Sequence, residues 1–78
     1  YAEARRLYGE SLKIEEALGD RAGVAITKAQ LALLEEREGN LPRALALIRE
    51  AEATFTALRS PYAAQARQDR ERIEQKLG

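Results

Sequence analysis

The side chains in this sequence best suited to acid–base chemistry are carboxylates, at Glu15 and Glu16 and again at Glu35, Glu36 and Glu38. There is no histidine and no cysteine. The usual general bases, nucleophile pairs and transition-metal ligands are therefore missing. Carboxylates one residue apart on a helix do not face each other, so these neighbours cannot act as a paired acid and base. A solvated, charged surface is their expected role. The glycines stand singly rather than in a phosphate-cradling loop. The one basic cluster, Arg67, Arg70, Arg72 and Lys76, is interleaved with Asp69, Glu71 and Glu74. Opposite charges three and four apart predict a salt-bridged helix face rather than a phosphate site. Catalysis, cofactors and metals are not expected, which leaves binding through surfaces.

Helices must position any such surface, and the sequence writes them as a repeat. Ala4, Leu7, Glu10, Ala17 and Leu18 recur forty residues later as Ala44, Leu47, Glu50, Ala57 and Leu58. Gly19-Asp20, Gly39-Asn40 and Gly78 punctuate the chain near multiples of twenty. Four helices of similar length, alternating in a unit of about forty residues, predict an all-α solenoid.

Helix one is expected over residues 2–18, with Ala4, Leu7, Tyr8, Ser11, Ile14 and Leu18 as its buried stripe. Gly9 inside it costs about 1 kcal/mol relative to alanine, as at an exposed position or where a neighbour approaches. Gly19 is suited to stop this helix, and Asp20 to cap the next, over 21–38. Val24, Ala25, Ile26, Ala29, Leu31, Ala32, Leu33 and Leu34 cover most of its circumference, which predicts neighbours on several sides. Asn40 as cap and Pro42 in the first turn introduce helix three, over 41–58. Its inward face is Leu41, Ala44, Leu45, Leu47, Ile48, Ala51, Phe55 and Leu58. Ser60 as cap and Pro61 as first helical residue open helix four, over 61–77. There the apolar stripe thins to Tyr62, Ala66, Ile73 and Leu77, the pattern of a capping or terminal helix.

The 78 residues hold thirteen basic and thirteen acidic side chains, for a net charge of zero. That balance argues against a general nucleic-acid or anionic-membrane binder. No apolar run approaches the roughly 18 residues of a membrane span. Without cysteine, a reducing compartment is acceptable. The absence of methionine suggests an excerpt from a longer protein. Residues 1–20 carry three basic and five acidic groups, while residues 59–78 carry five basic and three acidic ones. These complementary ends allow contact with neighbouring repeats in a longer array, or the alternative role of a structural spacer or head-to-tail self-association module without a groove ligand.

The stretch Leu31-Ala32, Gly39-Asn40-Leu41, Ala44, Ile48 and Ala51 resembles the tetratricopeptide repeat. Tyr1, Ala4, Tyr8 and Ser11 look like the second half of a preceding repeat. The turns at Leu18-Gly19-Asp20 and Ala22-Gly23 are similar to the longer variant of about forty residues, seen in kinesin light chains and in bacterial signalling and regulatory proteins. Lys28 and Glu35 depart from the aromatic residues common at those positions. The resemblance implies one module over residues 1–78: the second helix of a preceding repeat (1–19), one full repeat (20–59) and a following or capping helix (60–78). It implies antiparallel helix pairs stacked into a right-handed solenoid, cytoplasmic, binding a protein or peptide in a concave groove. On that mapping Ile26, Ala29, Leu33 and Arg37 of helix two face the groove beside Gln68 and Arg72 of helix four. Members that clamp an acidic C-terminus use lysine and asparagine where this chain has Ala29 and Leu33, so that ligand is not expected. Read from the residues alone, the Ile26–Ala29–Leu33 stripe is either a groove lining or simply core.

Overall fold

The computed structural model describes all 78 residues as four α-helices without a strand: α1 (Ala2–Leu18), α2 (Arg21–Arg37), α3 (Leu41–Ala57) and α4 (Ala63–Leu77). What divides the chain is a turn repeated every twenty residues. Gly19 and Gly39 take left-handed backbone angles (φ 70° and 83°), and Arg59 takes the third such position at φ 55°. In each turn the next amide bonds back into the helix just ended: Asp20 N to Glu15 O at 2.9 Å, Asn40 N to Glu35 O at 2.8 Å, Ser60 N to Phe55 O at 2.8 Å. These are Schellman closures, which satisfy the last carbonyls of each helix and reverse the chain.

Helix starts are less uniform. The Asp20 side chain accepts from Gly23 N at 2.9 Å, as expected of a cap. Asn40 makes no such side-chain bond; Pro42 in the first turn and the Asn40 carbonyl, which accepts from Ala44 N, serve instead. The Ser60 hydroxyl accepts from Tyr62 N at 3.1 Å. Pro61 and Tyr62 form a turn, so α4 begins two residues later than the sequence suggests.

Packing is sequential: α2 lies most extensively on α3, α3 on α4, and α1 on α2. The result is a slab of 37 × 31 × 15 Å. Its core consists of Ala25, Ala32, Ala44, Ile48, Ala51, Phe55, Ala66 and Ile73, with alanines where helices approach and larger side chains between. Every buried side-chain nitrogen and oxygen has a partner.

The expected stripe of α1 is largely overturned: Ala4 and Tyr8 are half-buried, but Leu7, Ser11, Ile14 and Leu18 are exposed. No residue of α1 is buried, and Leu7, Ile14 and Leu18 are 49%, 61% and 77% exposed. The face turned to α2 is the half-buried set Ala4, Arg5, Tyr8, Gly9, Leu12 and Glu15, with Glu15 accepting a 2.7 Å hydrogen bond from the buried Thr27 hydroxyl. The reason is that α1 packs on α2 only, so one of its two apolar faces has no helix against it. A Cβ at Gly9 would meet nothing within 4 Å, so no neighbour requires glycine there. Leu58, Tyr62 and Leu77, also expected inward, are 40%, 56% and 44% exposed because they stand at helix ends beyond the packed turns.

Candidate polypeptide-binding surface

One ridge of α2 stays open along its length. Ile26, Gln30, Leu33 and Arg37 are spaced four, three and four apart, which places them on a single helix face. On the α4 side of this ridge lies an open hollow of about 510 Å³. Ile26, Ala29, Gln30 and Leu33 form one wall, Tyr62, Gln65, Ala66 and Asp69 the other, and Phe55 of α3 the floor. On the α1 side a second hollow, of about 610 Å³, is bounded by Tyr1, Ala4 and Tyr8 and by Gln30, Leu33, Leu34 and Arg37. Gln30 and Leu33 border both, so the two hollows are halves of one surface with the ridge between them.

The chain has only four aromatic residues, three tyrosines and one phenylalanine, and all four line these hollows. Tyr62 is fixed by an edge-on contact with Phe55, ring centres 5.6 Å apart and planes at 60°. That is a favourable aromatic geometry, and it leaves the exposed tyrosine ring standing as a rim.

Charge holds the far end of the surface together. Glu36 of α2 accepts from Arg72 Nε at 2.9 Å, Arg72 Nη2 at 2.7 Å and Lys76 Nζ at 2.7 Å, both partners belonging to α4. Arg72 also donates to Asp69 at 2.9 Å, and Gln65 Nε2 to the same carboxylate oxygen at 3.2 Å. The Arg72 hydrogen bond, with help from Lys76, holds the Glu36 carboxyl at about 2, well below its ordinary 4.5, against the opposing effect of burial. In return Glu36 and Asp69 raise Arg72 further above its already high value. Arg37 forms no ion pair and keeps its guanidinium free beside Tyr1 and Tyr8.

Of the residues singled out from sequence, Ile26, Ala29 and Leu33 line the α2–α4 hollow together. Arg37 lines the other half. Gln68 is exposed on α4 but borders neither hollow, and Arg72 is engaged with Glu36 and Asp69. Tyr1, Tyr8, Gln30, Phe55 and Tyr62 are added by the structure. The scarcity of aromatics is the available signal, and helical periodicity hides it by assigning Tyr8 and Tyr62 to buried stripes; Phe55 is buried as expected and forms the floor.

The carboxylates are not uniformly a solvated face either. Glu35 is only 2% exposed. One of its oxygens accepts from Arg5 of α1, the other lies 2.9 Å from Arg43 of α3, and so it ties three helices together. Of the basic cluster, Arg70 pairs with Glu52 and Glu74, Arg72 with Glu36 and Asp69, and Lys76 with Glu36, whereas Arg67 is in no ion pair.

No helix is long and apolar enough to cross a membrane. Comparison with protein-family models, with curated proteins and with solved structures finds no match for this chain.

Proposed function

We propose that this chain is a non-catalytic protein-binding module that receives a peptide or protein element along the α2 ridge and its two hollows. The observation that carries the reading is the gathering of all four aromatic residues at those hollows, with three of them tyrosines. Tyrosine offers a large apolar ring and a hydroxyl that binds water when free and a partner when bound, which is why interfaces are rich in it. The lining of the α2–α4 hollow is mostly apolar, whereas that of the α1–α2 hollow ends at the unpaired Arg37. The ligand is therefore a polypeptide that places apolar side chains in both hollows and a carboxylate near Arg37.

The architecture we propose around this surface is a right-handed tetratricopeptide-type array within a larger cytoplasmic protein. Support comes from the forty-residue internal repeat, the turn recurring every twenty residues and the sequential packing of the helices. On that arrangement α2 and α4 are the groove helices.

The test is selection of peptides from a random displayed library on the 78-residue chain, followed by NMR titration. Enriched peptides should perturb Ile26, Leu33 and Tyr62, and Leu33→Asp should abolish binding while leaving helical circular dichroism intact. Peptides that bind Leu33→Asp equally well, or that perturb only α1's outer face, would sink the reading. Loss of helicity in Leu33→Asp would move the test to Ile26→Asp, a more exposed position in the same wall.

A further inference from the structure

Asp69 is the only charged side chain on the walls of the α2–α4 hollow, and it is just 7% exposed. One oxygen of its carboxylate is engaged: Oδ1 accepts from Arg72 Nη1 at 2.9 Å and from Gln65 Nε2 at 3.2 Å. No protein group donates to the other oxygen, Oδ2. Every side-chain oxygen sealed from water has a partner, so Oδ2, which has none, keeps an opening to solvent. Of the four surface hollows, Asp69 borders this one alone. A ligand side chain that fills the hollow takes Oδ2 out of water. It must then donate to that oxygen or leave a charged acceptor buried without a donor.

The surrounding charge decides what kind of donor fits. Arg72 is shared between Asp69 and Glu36, and Lys76 also pairs with Glu36. Two carboxylates face two cations, so the group is already balanced. An ammonium or guanidinium brought to Oδ2 would add an uncompensated charge to an apolar hollow, close to Arg72. A neutral donor adds none. Ile26, Ala29, Leu33 and Ala66, with Phe55 as floor, suit a large apolar body, and the Tyr62 ring at the rim suits an aromatic one. Tyrosine would bring an acceptor as well as a donor, whereas the indole of tryptophan is donor only. On the reading that this surface binds a polypeptide, we infer that the α2–α4 hollow is a tryptophan pocket. The indole packs between the α2 wall and Tyr62, and its N–H donates to Asp69 Oδ2. Asp69 determines specificity, and Arg72 and Gln65 are positioning residues that hold its other oxygen.

The experiment uses peptides selected from a random displayed library on the 78-residue chain. Those that perturb Ile26 and Tyr62 should carry a tryptophan, which NMR contacts should place in this hollow. Exchanging that tryptophan for benzothienylalanine, in which sulfur replaces the N–H, keeps the shape and removes the donor. Binding should then weaken by about tenfold or more, the effect of stranding a buried charged acceptor. Asp69→Asn keeps a carbonyl for Arg72 and Gln65 and turns an amide N–H toward the ligand. In that variant the tryptophan peptide should bind no better than its analogue. The analogue also controls for folding: a variant that merely unfolds loses both peptides, and the comparison on the parent chain then decides alone. Equal binding of the two peptides to the parent chain overturns the inference. So does enrichment of leucine, phenylalanine, tyrosine, lysine or arginine in place of tryptophan, a result that leaves the polypeptide-binding reading standing. A library that yields no peptide for this surface overturns that reading and the inference with it.

Discussion

Glu35 shows how a single buried charge is made tolerable. Its carboxylate is almost wholly removed from solvent, but its partners Arg5 and Arg43 are 42% and 66% exposed. The two sides of the interaction are therefore unequal. Replacing both arginines strands a buried carboxylate, so Arg5→Ala with Arg43→Ala should clearly lower the urea midpoint. Glu35→Leu leaves two arginines free to turn to water and fills the site with apolar atoms, so urea unfolding should place it within about 1 kcal/mol of the parent. A Glu35→Leu loss as large as the double arginine loss would show that the carboxylate itself organises the three-helix junction. Glu36, one residue on, points to α4 and predicts a pH effect. Its folded pKa of about 2 lies below its ordinary 4.5, so its contribution is complete above pH 4.5 and disappears as pH falls through 2. In Glu36→Gln the loss of stability between pH 4.5 and 2 should be shallower, as followed by thermal unfolding across that window. An identical pH profile would remove Glu36 from the acid response.

At the scale of the element, the turns decide the architecture, and one of them is chemically suboptimal. Gly19, Gly39 and Arg59 share a left-handed conformation, which costs a residue with a Cβ roughly 1–2 kcal/mol. Arg59→Gly should raise the melting temperature by several degrees. Gly39→Ala should lower it, even though an added Cβ there touches nothing within 4 Å. A neutral result at both sites would mean that these helix ends are already frayed. Gly9→Ala, inside α1 and equally unobstructed, should stabilise by about 1 kcal/mol through helix propensity alone. The helices and two of the turns were legible in the sequence because glycine, aspartate and proline act locally. The third turn was marked by Ser60 and Pro61, but its left-handed residue, Arg59, was not legible, because arginine carries no such signal. The burial of α1 was misread for a related reason: periodicity reports that a face is apolar, but not whether a neighbour lies against it. The α2 wall of the binding surface was legible as Ile26, Ala29 and Leu33. Its α1 and α4 borders depend on helix placement, so Tyr1, Tyr8 and Tyr62 emerged only in three dimensions.

At the scale of the whole molecule, cohesion is graded along the chain. Thirteen of 78 residues are buried, six of them in α2, four in α3, three in α4 and none in α1. A core this small leaves a narrow margin over the entropy of ordering the chain. With the most extensive packing between sequential helices, and α2 tied to α4 by Glu36 with Arg72 and Lys76, opening of α1 need not open the other three. Native-state hydrogen exchange should therefore give α2 and α3 the highest protection, α4 less and α1 the least, with α1 opening before the global transition. The gradient matters for binding, because the hollow between α1 and α2 exists only while α1 is docked, whereas the hollow between α2 and α4 rests on the buried Phe55 and Ala66. A ligand that spans both hollows must slow exchange in α1, and one confined to the α4 side must not. Equal protection in all four helices would instead mean that the Arg5–Glu35 and Glu15–Thr27 contacts couple α1 to the core as one cooperative unit. In that event both hollows would be present whenever the chain is folded, and ligand binding would stabilise all four helices together.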